Sequence, residues 1–429
     1  MTERPDTHTR PLWRDRRFVT YWSGQTVSQL GDRVSELALP LIAVTTLHAS
    51  PAEVGVLTAA IWAPNLLSVV VGAWVDHHRR KKRLLVVANL VQAAAVAVLP
   101  AAYGFGVMSM GLLYAVALVL GAGGVLYQTS YPPFFARLVR RDQYLQANSL
   151  LSATRSGSFI AGPALGGLLI EAVTAPVAMV VDAVSFVASS LAIFSVRVEE
   201  PPVAGPQDSP RLWRRAVEGL RFLRRHPYLR ATLGCSTVLN FFTFVASAVV
   251  ILFASRTLEL DAGQIGLAFG LGAMGGLVGA VGASRLARRL GPGVTGVLGA
   301  VLFCAPLAFI PLASGPDWLK IAVLAAVEFV SSVGVMFYDI NMNSIQTAVT
   351  PDRMRSRSAG AYATVNYGIR PLGALLGGLM AGCIGVPLTL VVAGIGGCLG
   401  VLFLWRSPVL RTRGVEDLDA IEVETAPTP

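Results

Sequence analysis

About twelve apolar runs, each near the roughly 20 residues that an α-helix needs to cross a bilayer, follow one another along this chain. Residues 84–103, 176–196 and 387–405 are clear examples. Hydrophobic residues make up 54% of the chain and charged residues 14%, against roughly 25% charged in a typical soluble domain. Lipid must therefore be the solvent for most of the surface. The pattern predicts an all-α membrane protein with twelve transmembrane helices. They fall at 18–47, 52–75, 84–103, 110–136, 147–171 and 176–196, then at 228–255, 262–284, 293–313, 318–340, 358–382 and 386–405. The polar, Arg-rich start up to Arg17 and the length of the first apolar run do not fit a cleavable signal peptide, so the first helix is expected to stay in the membrane.

A net charge of +10 would suggest a nucleic-acid partner in a soluble chain. Here the placement of the charge decides otherwise. Of the 35 Lys and Arg, 30 lie in the two tails, the central linker with its approach, and the loops after helices 2, 4, 8 and 10. Only Arg256 and Lys320 fall in the alternate loops, while Arg33, Arg155 and Arg370 lie within helices. Basic residues of polytopic proteins collect on the cytoplasmic side. Both termini are expected there, with membrane lipids rather than nucleic acid as the charged partner. Only three of the basic residues are lysines, a bias that fits a high-GC bacterial genome and a bacterial cell (inner or plasma) membrane.

The two halves repeat each other. Gly72-Ala73 and Arg79 recur as Gly282-Ala283 and Arg289, and Gly124-Val125 and Asp142 as Gly334-Val335 and Asp352, all 210 residues apart; Gly166-Gly167-Leu168 recurs as Gly377-Gly378-Leu379 at 211. A parallel duplication places six helices in each half. The expected organisation is an N-tail (1–17), a first half (18–196), a linker (197–227), a second half (228–405) and a C-tail (406–429). Within the linker, Leu212, Ala216, Leu220 and Leu223 share one helical face among five arginines. That reads as an amphipathic helix at the headgroups, or else as a solvated linker helix.

No enzyme signature is present. The three lysines follow Arg80, Lys81 and Leu319, so none completes a phosphate-binding Gly-Lys-Ser/Thr, and no histidine is followed by the Glu of a zinc-protease motif. The four cysteines lie in apolar segments without metal-ligand spacing, so no metal, disulfide or other cofactor is expected.

An ionisable side chain at bilayer depth costs at least about 2.5 kcal/mol, so each one needs a partner, a wet cavity or a function. Asp32 and Glu36 in helix 1 lie one turn apart on one face, with Arg33 between them. They are candidates for binding a proton or a cationic substrate, or for pairing with Arg33, Arg155 or Arg370 as helix ties. Their counterparts 210 residues on are Phe242 and Ala246, so the fold does not need carboxylates in both copies. Asp182, Glu328 and Arg370 are further candidates for the central cavity, and Asp339 for the end of helix 10. Trp62, Phe241, Phe242, Phe244 and Tyr338 are aromatics able to stack on an apolar substrate.

The segment Gly72-Ala-Trp-Val-Asp76-His-His-Arg-Arg80-Lys81 resembles the cytoplasmic signature of the major facilitator superfamily, departing from it at His77 and Arg79. Gly162-Pro163-Ala-Leu-Gly166-Gly167 resembles that superfamily's antiporter signature. Gly31-Asp32, Ala38-Leu-Pro40, Asp182-Ala-Val-Ser-Phe186, Glu218-Gly-Leu-Arg-Phe222 and Arg225-His-Pro227 add a similarity to bacterial exporters of the macrolide-efflux and enterobactin-exporter type. The resemblance implies the major facilitator fold and a cytoplasmic gate at Gly72, Asp76, Arg80 and Lys81. It further implies alternating access in a monomer that exchanges a small-molecule substrate for protons. One departure bears on the coupling, since 112–133 in helix 4 holds no basic residue where such exporters often carry an Arg. The expected function is export of hydrophobic or amphiphilic molecules of antibiotic, drug or siderophore type. Metabolite uptake through the same fold and a transport-inactive membrane sensor are the alternatives.

Overall fold

The computed structural model describes residues 12–78, 80–198 and 210–414, with only the backbone described at Ala73, Asp76, His77, 210–216, Arg353 and Ser356. Most of the expected tails, the polar start of the linker and Arg79 thus lie outside the described residues. The helices are α1 (Arg16–Leu41), α2 (Pro51–Trp62), α3 (Ser68–His77), α4 (Lys81–Gly104), α5 (Met110–Leu138), α6 (Tyr144–Val173), α7 (Ala175–Ser195) and α8 (Pro210–Arg225). They continue as α9 (Pro227–Arg256), α10 (Ala262–Leu290), α11 (Pro292–Cys304), α12 (Asp317–Ala348), α13 (Asp352–Gly368), α14 (Arg370–Ile384), α15 (Val386–Cys398) and α16 (Val401–Trp405). A 3-10 turn, Ala63–Leu67, joins α2 to α3 in one continuous span.

Among the described residues, eleven helical segments are long and apolar enough to cross a membrane. α1 is not one of them, because Arg16, Arg17, Asp32, Arg33 and Glu36 lower its mean hydropathy, yet it packs along α7 and α6. Gln25, Ser28 and Ser35 along it are buried in the bundle, so the protein supplies the environment that lipid would deny them.

Local chemistry sets the helix ends. Ser50 and Glu53 close a reciprocal cap on α2: the Ser50 amide donates to Glu53 Oε2 (2.7 Å) and the Glu53 amide to Ser50 Oγ (3.3 Å). Pro51 fills the first turn, where no amide is needed. Single residues join α6 to α7 and α14 to α15, Thr174 at φ +82° and Gly385 at φ +85°, and these two lie 211 residues apart. Glycine is at ease at this φ; the β-branched threonine is not.

Three spans differ most from expectation, and the first, α10, runs to Leu290 rather than ending near 284. α12 runs to Ala348 rather than ending near 340, because Asn341 and Ser344 bond back to the carbonyls of Phe337 and Ile340 and keep a polar stretch helical. Asp339 therefore sits within the helix. The eleventh span breaks at Ile369, where Pro371 removes a donor and disfavours helical backbone at Arg370.

The linker helix also differs from the expected lipid-facing arrangement. Leu223 is buried with Leu229 and Ala361, Gly219 lies against the Arg357 carbonyl, and Arg357 Nη1 pairs with Glu218 Oε2 at 3.0 Å. The described part of its apolar face covers α9 and α13 rather than lipid. Leu212 and Ala216 have no described side chain.

At the end of the bundle away from the Arg-rich loops, two glycine crossings bring helix backbones together. A Cβ on Gly167 of α6 would strike the Ala262 carbonyl of α10 and stand 3.0 Å from Gly266 Cα. A Cβ on Gly378 of α14 would stand 2.6 Å from the Pro51 carbonyl of α2 and 2.9 Å from Gly55 Cα. Gly55 and Gly266 are 211 residues apart, as are Gly167 and Gly378, so each crossing repeats the other.

Candidate transport site

On α1, Arg33 Nη1 pairs with Glu36 Oε2 at 2.5 Å, as expected for residues one turn apart. Glu36 keeps 59% side-chain exposure and Arg33 24%. Arg33 is seated by the Gly-Pro motif of α6. Its Cβ would lie 2.6 Å from a Cβ on Gly162, so only glycine leaves the notch in which the arginine stem lies. Its guanidinium sits 5.4 Å from the Phe159 ring centroid. Pro163 lacks the amide that would bond the Phe159 carbonyl, which loosens α6 at this level. Gly166 faces the Val34 backbone, while Gly167 faces α10. The motif thus packs α6 against α1 on one side and α10 on the other.

Asp182 is fully buried in the seam between α7 and α1. Its carboxylate accepts from Ser35 Oγ and from Ser185 Oγ (3.0 Å), and Gly31 gives it room. It therefore ties two helices instead of lining an opening. Asp32 lies within electrostatic reach of Asp182, Glu36 and Arg33, and of Tyr127 on α5. The structure brings together Asp32, Arg33, Glu36 and Asp182, three carboxylates against one guanidinium.

Arg370 forms a separate group. Its Nε donates to Asn240 Oδ1 at 2.9 Å. Its guanidinium stands 4.3 Å from the Trp62 ring centroid, 4.4 Å from Tyr367 and 5.0 Å from Phe244. The breaks after Trp62 and at Ile369 aim these residues at each other. Asp339 is within electrostatic reach. Glu328 joins neither group; it packs against Gly272 of α10 and has no hydrogen-bond or ion-pair partner among the described residues.

Of the other aromatics, Phe241 and Phe242 pack edge to face and Phe242 fills the space over Gly396, while Tyr338 is buried and donates to the Thr232 carbonyl at 3.1 Å. Tyr338 is thus a packing residue. Ser35, Asn240, Tyr367 and Phe159 escaped the sequence reading, and Ser185 entered it only as part of the Asp182–Phe186 segment. Ser185 and Tyr367, one turn from Asp182 and Arg370, carried a local signal.

At the expected gate, a Cβ on Gly72 would meet, among the described residues, Thr129 Cγ2 at an ordinary 3.8 Å. The Asp76 side chain lies outside the described residues. Arg80 is exposed. Lys81 Nζ donates to the Val75 carbonyl and so caps the C-terminal end of α3.

The family model for the Major Facilitator Superfamily matches residues 21–374. The chain belongs to the major facilitator superfamily. Multidrug efflux pump Tap of Mycobacterium tuberculosis is 30% identical over 393 residues, covering 89% of this chain and 91% of Tap. Macrolide efflux protein A of Streptococcus pyogenes is 23% identical, covering 88% and 92%. Among solved structures, a bacterial homologue of the iron transporter ferroportin in the inward-facing state superposes with a TM-score of 0.71 at 17% identity, covering 91% of this chain and 98% of that one. A bacterial homologue of the lysosomal transporter Spinster gives 0.69 at 13%, covering 95% and 99%. This major facilitator protein is a multi-pass protein of the bacterial plasma membrane, and a transporter rather than an enzyme.

Proposed function

We propose that this major facilitator protein exports hydrophobic or amphiphilic small molecules by proton antiport and alternating access. The observation that carries the reading is the α1 cluster, Asp32 and Glu36 about Arg33, seated in the notch of the Gly-Pro motif. Three carboxylates against one guanidinium leave an excess of negative charge where the dielectric is low, which attracts a proton or a cationic substrate. Arg33 can release Glu36 as either binds. Since Arg33 also lies against α6, and α6 crosses α10, a change of charge at α1 is felt at the crossing between the halves. The efflux names of Tap and macrolide efflux protein A support export.

In this account α1 is the twelfth crossing. The halves are 18–196 and 228–405, the termini are cytoplasmic and the protein acts as a monomer. The two glycine crossings close the outer end, and the exposure of Glu36, twenty residues after Arg16, fits an opening that reaches α1 from the basic end. Gly72, Asp76, Arg80 and Lys81 gate that end. Accumulation of a panel of dyes and antibiotics in efflux-deficient bacteria expressing the protein tests the reading. Lower accumulation that a proton ionophore restores is expected, and accumulation equal to that of cells without the protein would rule export out.

A further inference from the structure

A groove between α9 and α16, outside the transport site, opens a cavity of about 640 Å³ at the basic end of the bundle. In the Gly-Gly-Cys-Leu-Gly sequence at 396–400, a two-residue turn at Leu399 and Gly400 divides α15 from α16 within the last span. Gly234 on α9 lets the Phe403 ring lie against the helix backbone as one wall. Val238, Phe242 and Leu399 continue the apolar lining, and Arg230 and Arg406 stand at the mouth. Both arginines are exposed, and neither side chain has a partner among the described residues.

The groove has the dimensions of one leaflet. Arg230 and Phe242 are 12 residues apart on one helix, about 18 Å at 1.5 Å per residue, and half of the hydrocarbon core is about 15 Å. A phosphate at the two arginines would leave an acyl chain running along the apolar walls to mid-membrane. The volume lies within the range of about 300–1,000 Å³ that holds small amphiphiles.

We infer that this groove is a binding site for one anionic phospholipid of the leaflet on the Arg-rich side, its phosphate on Arg230 and Arg406 and one acyl chain over Phe403, Val238, Leu399 and Phe242. Charge complementarity fixes the occupant. Two unpaired guanidiniums at headgroup depth favour a lipid with net negative charge over a zwitterionic one.

Native mass spectrometry of the purified full chain, titrated with phosphatidylglycerol or phosphatidylcholine, tests the site. The wild type is expected to retain one phosphatidylglycerol under activation that strips phosphatidylcholine. Arg230→Gln with Arg406→Gln should reduce that preference about thirtyfold. Leu399→Trp, which fills the groove and leaves both arginines, should lose the lipid as well. Equal retention of the two lipids by the wild type would overturn the site. So would retention of phosphatidylglycerol by Leu399→Trp at the wild-type level, which decides the matter if the double variant fails to fold.

Discussion

Gly55→Ala should open the end of the protein away from the Arg-rich loops. A Cβ at Gly55 would stand 2.7 Å from the Ala374 carbonyl and 2.9 Å from Gly378 Cα. Both are backbone atoms, so no rotamer change can relieve the contact. α2 and α14 must separate from 2.7 Å to the 3.4 Å at which ordinary contact begins, a shift of about 0.7 Å. Overpacking of this kind costs the closed crossing about 1–3 kcal/mol. The closed population should therefore fall about fivefold to about 150-fold relative to the open one. Spin labels at the exposed Val56 and Leu379, in a chain with Cys383 and Cys398 replaced by serine, report the distance between the two helices. Double electron–electron resonance should then show a longer-distance population that grows in Gly55→Ala. It should not grow in Gly124→Ala, where an added Cβ meets nothing within 4 Å among the described residues. An unchanged distance distribution in Gly55→Ala would refute the reasoning, whatever happened to thermal stability.

Thr174→Gly should stabilise the protein by about 1–3 kcal/mol, because φ +82° with ψ 151° is a glycine conformation; thermal unfolding of purified protein checks this, and a lower unfolding temperature would show that the threonine side chain is needed. Asp182→Ala should cost about 1–3 kcal/mol, since it strands the Ser35 hydroxyl in a buried seam, and the loss should appear as a lower unfolding temperature and poor membrane levels; normal stability with failed transport would instead move Asp182 into the coupling site. Arg370→Lys replaces a flat cation by a point charge among three rings, and about 1 kcal/mol of packing should be lost together with part of the transport rate. If Arg370→Ala transports like wild type, the aromatic cage has no part in the cycle.

Much of the fold was legible because bilayer physics writes each span locally. Roughly 20 apolar residues in a row suffice to mark a helix, whatever it later touches. The Gly-Pro motif and the Asp32-Arg33-Glu36 turn were visible for the same reason, each being contiguous in sequence. What periodicity does not carry is which helix a side chain meets. The Ser35 bond to Asp182 joins residues 147 apart, so Asp182 looked like a cavity residue until the seam around it was seen. Arg370 meets Trp62 through two proline-marked breaks in spans from opposite ends of the chain. Each proline was readable, but their convergence was not. The linker helix shows the same limit, because an apolar stripe beside arginines fits lipid or protein equally well, and here α9 and α13 cover its described part.

Proton-driven export through α1 is tested most directly in proteoliposomes, with wild type and Asp32→Asn loaded with an exported dye. A pH gradient should drive dye uphill in the wild type. Asp32→Asn should lose gradient-driven transport while keeping dye-for-dye exchange across the same membrane, because exchange needs the substrate path but not the proton site. Uphill transport by Asp32→Asn at the wild-type rate would contradict the account.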